Sequence, residues 1–155
     1  MQNVIISACL LGIPCRYDGK SKQIFTNEQI EALKAKFNLI PVCPEIYGGL
    51  PTPRTGSERV DTRVIMKDAT DVTKNFEKGA SITLDLCRIL GARMAILKEK
   101  SPSCGKGKIY DGTFSGTLKD GFGVTAELLL KNGITVYTES EIQFLLGIKT
   151  FYFLG

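Results

Sequence analysis

The chain is 155 residues long, 43% hydrophobic and 23% charged, with a net charge of +4; that is one domain's worth of sequence, long enough to bury a core without disulfides. It contains no histidine, which excludes Ser-His-Asp and Cys-His nucleophilic machinery and every His-ligated zinc or non-haem iron site. The charge is too mild to require nucleic acid, no apolar run reaches the ~18 residues of a membrane span, and Met1-Gln2-Asn3-Val4 lacks the basic start of a secretion signal, so a cytoplasmic protein is expected.

Val4 to Cys9 is a short apolar run that predicts a buried strand. A loop with Arg16-Tyr17-Asp18-Gly19 follows, and Thr26 opens a helix with Gln29 as its capping-box partner. Ile30, Leu33 and Phe37 fall on one face of that helix. Leu39 to Cys43 predicts a second strand, leading into a turn-rich segment from Pro44 to Arg54. Residues 57–67 alternate weakly, as a short β excursion would. A long helix is expected from about Asp71 to Leu90, with Val72, Phe76, Ala80, Leu84 and Cys87 as its apolar stripe and Gly91 as terminator. Arg93 to Lys98 predicts a third strand, ending at Ser101-Pro102-Ser103-Cys104-Gly105. A Gly-rich loop through Gly123 then precedes a helix carrying Val124, Leu128 and Leu129, stopped by Gly133. Gly121-Phe122-Gly123 before that helix is a candidate phosphate site, although it lacks the dinucleotide and P-loop patterns. Ile134 to Tyr137 predicts a fourth strand, and Ser140 a cap for a last helix with Phe144, Leu145 and Leu146. The apolar end, Phe151 to Leu154, is expected to pack on the domain, with a homodimer contact as the alternative. Strands alternating with helices imply one Rossmann-like α/β domain over residues 1–155, with a parallel sheet of about four to five strands and helices on both faces.

The chain has five cysteines, an odd number without an export signal, which favours reduced thiols or metal ligands over a disulfide framework. Cys9 ends the first expected strand, Cys43 ends the second and Cys104 follows the third. In open α/β sheets ligands bind outside the carboxyl ends of the strands, so these cysteines are expected to meet at one edge. Three thiolates there suit a [4Fe–4S] cluster with one iron left open, while the lack of close-paired C-x-x-C spacing counts against zinc. Buried strand residues remain the plain alternative. Cys87, on a helix stripe, reads as a small buried hydrophobe. Cys15, in the loop after the first strand, reads as a fourth ligand, a sulfur carrier or a small loop residue.

The segments Ser7-Ala8-Cys9-Leu10-Leu11-Gly12 with Arg16-Tyr17-Asp18-Gly19, Val42-Cys43-Pro44-Glu45 with Gly48-Gly49-Leu50-Pro51-Thr52-Pro53-Arg54, and Lys98 to Gly105 occur in that order. Together they resemble the thiouracil desulfidase family, small bacterial proteins first grouped as a domain of unknown function. The resemblance runs from Val4 to about Tyr137. It implies a [4Fe–4S] enzyme that converts 2-thiouracil to uracil and sulfide without net redox chemistry; separately, thiol oxidation chemistry makes a sample purified in air a candidate for an empty or oxidised site. The resemblance further implies Cys9, Cys43 and Cys104 as cluster ligands, with Glu45 and Ser101 beside the substrate.

On the residues themselves, Glu45 is the acid/base candidate, since a partly desolvated carboxyl can titrate near neutral pH. Ser101 is a candidate donor to substrate, and Tyr17 and Arg54 are candidates for holding a planar ring and an anion. Lys98, Lys100 and Lys106 read as surface lysines, or as cations that offset a thiolate-bound cluster. The expected partner is a small thiolated substrate. Two other functions use the same cysteines: a non-enzymatic iron–sulfur or zinc sensor or assembly module, and a persulfide sulfurtransferase.

Overall fold

The computed structural model describes residues 1–20 and 23–147. In chain order the elements are β1 (Gln2–Ser7), a 3-10 turn over Ala8–Leu11, α1 (Asn27–Lys36), β2 (Phe37–Val42), α2 (Pro44–Tyr47), β3 (Ser57–Val60), β4 (Arg63–Met66), α3 (Thr73–Leu90), β5 (Met94–Leu97), β6 (Lys106–Tyr110), β7 (Leu118–Phe122), α4 (Val124–Lys131), β8 (Thr135–Thr138), a 3-10 turn over Glu139–Glu141 and α5 (Ile142–Leu146). Four strands form a parallel sheet in the order β2-β1-β5-β8, and the pairs β3-β4 and β6-β7 are antiparallel hairpins.

The sheet is covered on both faces, which is why its central strands read as continuous apolar runs. Val4 and Ile6 of β1 join Leu33 of α1 with Ile142 and Leu145 of α5, while Ile5 joins Leu84 and Cys87 of α3 with Ala126 and Leu129 of α4. The same alternation divides Ile96 of β5 from Ala95 and Leu97. The expected α/β architecture is therefore present, with four strands in the sheet.

Local signals account for several ends. Thr26 Oγ1 accepts from Gln29 N at 3.1 Å and Gln29 Oε1 accepts from Thr26 N at 2.9 Å, the reciprocal cap that starts α1. The stripe Val72, Phe76, Ala80, Leu84 and Cys87 is buried throughout, and Gly91 ends α3 at φ 62°, a left-handed conformation glycine adopts without strain.

Four details depart from the sequence reading. β1 stops at Ser7, and Ala8–Leu11 wind a 3-10 turn that carries Cys9. Phe37 begins β2, although its ring still packs in the same apolar cluster as Leu33. Residues 106–122, read as a Gly-rich loop, form the β6–β7 hairpin. Its residues have weak strand propensity, and its pairing is supported by tertiary contacts such as Lys119 Nζ on the Arg59 carbonyl at 3.2 Å. Ser140 does not cap the last helix: it lies in the 3-10 turn whose capping box pairs Thr138 with Glu141, it donates to the Glu99 carboxylate, and α5 itself starts after Glu141 without a side-chain cap. Phe151 to Leu154 lie outside the described residues. No described helix is long and apolar enough to cross a membrane.

Two glycines fix where α2 meets α3. A Cβ on Gly79 would stand 1.9 Å from the Pro44 carbonyl oxygen, and one on Gly48 would stand 2.0 Å from the Asn75 carbonyl oxygen. Backbone thus lies directly on backbone one residue beyond Cys43. In an open helix, Gly→Ala gains up to ~1 kcal/mol. At Gly79 the sign should reverse: Gly79→Ala is expected to destabilise by about 1–3 kcal/mol in urea denaturation, the cost of overpacking, and a stabilised variant would contradict this contact.

Candidate functional site

Because β1 lies between β2 and β5, the chain leaves β1 through α1 toward one neighbour and later reaches the other through α3. Strand order reverses there, and in such sheets the crevice outside the carboxyl ends is the ligand site. A cavity of about 530 Å³ opens at that place, lined by Cys9, Cys15, Cys43, Cys104, Glu45 and Ser101 among others, with Tyr17 and Arg54 also on its wall. The cysteine, carboxyl, hydroxyl, tyrosine and arginine candidates from the sequence all border this cavity, as does Lys98, whereas Lys100, Lys106 and Gly121–Gly123 do not. Cys87 does not; it is buried between α3 and α4 in the apolar core.

Each cysteine loop is held by backbone contacts. Cys9 rides the 3-10 turn closed by Gly12 N donating to its carbonyl at 3.1 Å. Cys43 is the N-cap residue of α2, followed by Pro44 in the first turn, where a missing N–H costs nothing. Cys104 sits in a turn around Ser101, whose Oγ accepts from Ser103 N at 3.1 Å and from Cys104 N at 3.0 Å. The start of α4 closes over this turn: Gly123, Val124 and Thr125 donate their N–H groups to the carbonyls of Gly105, Pro102 and Ser103. Those contacts employ the backbone donors that an anion at Gly121–Gly123 would need, so the structure corrects that phosphate-site expectation and gives the segment a role in fixing Cys104.

The thiols are packed closely enough to influence one another. The Cys43 thiol donates to the Cys15 carbonyl at 3.7 Å. Contact with the Cys15 thiol, then burial, pushes the Cys43 thiol far up. Burial pushes the Cys104 thiol up to about 12. Contact with Cys43 pulls the Cys15 thiol down, but contact with Cys9 together with burial leaves it raised. Coordination to a metal would reverse these shifts, because it deprotonates a thiol outright.

Glu45 and Arg54 form the other half of the wall. Burial pushes the Glu45 carboxyl up, against the pull of the Arg54 guanidinium. Arg54 Nε lies 3.3 Å from Glu45 Oε1, Nη2 donates to the Cys15 carbonyl at 3.0 Å, and Nη1 donates to the Pro51 carbonyl at 3.1 Å and to Thr52 Oγ1 at 3.0 Å. The guanidinium, with only 3% of its side chain exposed, ties Glu45 to the Cys15 loop. Tyr17 is half-exposed at the rim, and its carbonyl accepts from Arg54 N at 2.7 Å. Of the three lysines near Cys104, Lys98 pairs with Glu139 at 3.1 Å and Lys106 with Glu141 at 3.0 Å, while Lys100 is exposed.

Ser7 and Glu58 are among the wall residues that were not singled out from the sequence. Ser7 ends β1, accepts from Lys98 N at 3.0 Å and touches the Cys104 thiol. A hydroxyl directly after the apolar run Val4-Ile5-Ile6 was the available signal. Glu58 of β3 is buried and accepts from Gly112 N at 2.9 Å and Phe114 N at 3.1 Å, joining the two hairpins beside the cavity. Nothing local marks it, because its partners lie more than fifty residues away.

The donor set fits a thiolate-held iron–sulfur core. Soft thiolates select iron–sulfur clusters, zinc or Cu(I). A lone zinc would draw its ligands to about 2.3 Å from one point, and among the described residues no three His, Cys, Asp or Glu side chains close up in that way. Cysteines from three separate loops on the wall of one cavity suit a core of several irons.

Known proteins match along nearly the whole chain. The family model for 2-thiouracil desulfurase matches residues 4–141. The uncharacterized protein YbbK of Bacillus subtilis (strain 168) is 38% identical over 150 residues, covering 90% of this chain and 97% of the relative. A solved structure of a [4Fe-4S]-dependent thiouracil desulfidase, TudS, superposes with a TM-score of 0.88 at 47% identity, over 94% of this chain and 95% of the other.

Removing Arg54 should strand the Glu45 carboxylate. Breaking a fully buried pair costs ~3–5 kcal/mol; Glu45 retains some exposure, so Arg54→Met is expected to lose about 2 kcal/mol in urea denaturation. Adding Glu45→Gln should restore part of that loss. Strictly additive effects in this double-mutant cycle would show that the two side chains do not depend on each other.

Proposed function

The chain belongs to the 2-thiouracil desulfurase family, and from that premise we propose that it is a [4Fe–4S]-dependent desulfidase acting on a thiolated pyrimidine base or a similar small thiocarbonyl compound. The observation that carries this reading is the convergence of the Cys9, Cys43 and Cys104 thiols with Glu45 and Ser101 on one cavity at the sheet's reversal point. A sensor needs the thiols but neither the cavity nor the carboxyl. A persulfide carrier needs a thiol that ionises readily, and the net shift at Cys15 and at Cys104 runs the other way. In this reading the protein works in the cytoplasm, where thiols stay reduced.

Cys9, Cys43 and Cys104 would hold the cluster. When bound, it supplies a thiophilic, Lewis-acidic iron for the thiocarbonyl sulfur. The overall reaction is a hydrolysis: C=S and water give C=O and hydrogen sulfide, with no electrons gained or lost. The protein's part is to place the ring and move protons. Glu45 projects from α2 beside Cys43, with burial favouring its neutral form and Arg54 its anion. A carboxyl balanced in this way takes a proton from water as the water adds to the thiocarbonyl carbon, and returns it to the departing sulfur. Ser101 Oγ accepts two backbone N–H bonds, which leaves its own proton to donate to the substrate. Tyr17 offers an aromatic face at the rim for a planar ring. Arg54 acts through Glu45 and the Cys15 loop that it clasps.

Protein prepared without oxygen is expected to carry about four irons per chain and to release sulfide from 2-thiouracil; sulfide release undiminished after iron chelation would end the proposal. Cys9→Ala, Cys43→Ala and Cys104→Ala should each fail to assemble the cluster, whereas Cys87→Ala should keep the iron content and lose only some stability. Glu45→Gln should retain its iron and lower kcat by ~10²–10⁴-fold, the range for a general acid–base group. Equal kcat in that variant would remove Glu45 from the chemistry.

A further inference from the structure

Four thiols border the cavity, and the ligand set above uses three of them. Cys15, the fourth, is buried, yet it belongs to none of the apolar clusters that form the core. Cys87, by contrast, is packed among Leu84, Ala126 and Leu129. What surrounds Cys15 is the site itself. Its thiol contacts those of Cys43 and Cys9, and its carbonyl takes hydrogen bonds from the Cys43 thiol at 3.7 Å and Arg54 Nη2 at 3.0 Å. Its N–H donates to the Ile13 carbonyl at 2.8 Å. The backbone is thus anchored on both sides, and the sulfur can be re-aimed by rotation about χ1 alone.

We propose that Cys15 is a fourth, displaceable ligand, which binds the iron that Cys9, Cys43 and Cys104 leave without a protein thiolate and gives way when a thiocarbonyl sulfur enters. The inference rests on the cluster reading above and concerns a residue to which that reading assigns nothing. On binding, the thiol releases its proton to solvent. On displacement, the thiolate takes a proton back. No electrons move and no sulfur–sulfur bond forms. A cubane closed by four thiolates exposes no vacant iron to solvent or oxygen between turnovers. Because substrate has to compete with an internal thiolate, its apparent affinity is lower than an open site would give.

The test uses whole protein reconstituted without oxygen, as wild type, Cys15→Ser and Cys15→Ala. Iron and sulfide content is measured first. The cluster is then reduced and its electron paramagnetic resonance recorded in water enriched in oxygen-17, with and without 2-thiouracil. The wild type without substrate is expected to show no oxygen-17 coupling, because sulfur closes the coordination. Cys15→Ala should show coupling at unchanged iron content, bleach several-fold faster in air and have a several-fold lower KM for 2-thiouracil. Cys15→Ser, which keeps the side chain's size, should also lose the wild-type signal. Oxygen-17 coupling in the loaded wild type overturns the proposal without need of any variant, and so does absence of coupling in both wild type and Cys15→Ala. A wild type that assembles no cluster at all brings down the desulfidase reading itself, a result separable by its iron content alone.

Discussion

Several thiols buried together cannot all be anions unless a cation sits among them. That constraint organises this molecule. Cys15, Cys43 and Cys104 are enclosed by protein and by one another, and each is held above its ordinary protonation range. An iron–sulfur core reverses this preference by binding the thiolates directly. Interior space that is unfavourable for thiolates alone thereby becomes favourable for a core that needs them. Glu45 is under the same pressure, eased by the Arg54 guanidinium at 3.3 Å. The pairing keeps a carboxyl close to a thiolate-rich site without leaving an uncompensated negative charge beside it.

The fold meets the constraint by fixing backbone rather than by packing side chains. Gly79 and Gly48 let α2 and α3 touch main chain to main chain beside Cys43. At Gly123 a Cβ would stand 2.3 Å from the Ser103 carbonyl carbon, so the chain entering α4 rests directly on the Cys104 turn. The N–H groups at the start of α4 are directed onto that same turn. Among the described residues every buried side-chain nitrogen and oxygen has a partner. Glycine contacts and satisfied backbone bonds thus hold the loops that carry Cys43 and Cys104 at the cavity wall.

The sequence disclosed the scaffold well because the scaffold follows short-range rules. The Thr26–Gln29 box, the stripe from Val72 to Cys87 and the apolar runs of β1 and β5 each carry their own periodicity or cap. The three cysteines at strand ends could be brought together on paper because the position of a parallel strand's carboxyl end follows from its direction alone. What stayed hidden depends on distant partners. Residues 106–122 look like a loop because Gly107, Gly121 and the flanking charges have poor strand propensity; their pairing is supported by contacts with β3 and β8. Glu58 looks like a surface acid until the backbone of Gly112 and Phe114 is known to sit over it. Arg54 reads as an anion binder, since nothing nearby in sequence shows that its guanidinium already joins Glu45 to the Cys15 loop.

That last arrangement has a consequence for how the site works as a unit. A single guanidinium, almost wholly shielded from solvent, reaches both the residue assigned to carry protons and the loop bearing the fourth thiol. Movement of the Cys15 loop would disturb the Glu45 pair, and a change in Glu45 charge would alter the grip on the Cys15 carbonyl. A planar guanidinium holds fixed directions to several acceptors at once, which a lysine ammonium on a flexible stem does not. Re-aiming the Cys15 sulfur about χ1 therefore suits this architecture better than moving the loop: the thiol can leave the site while Arg54, Glu45 and the backbone around them stay where the reaction requires them.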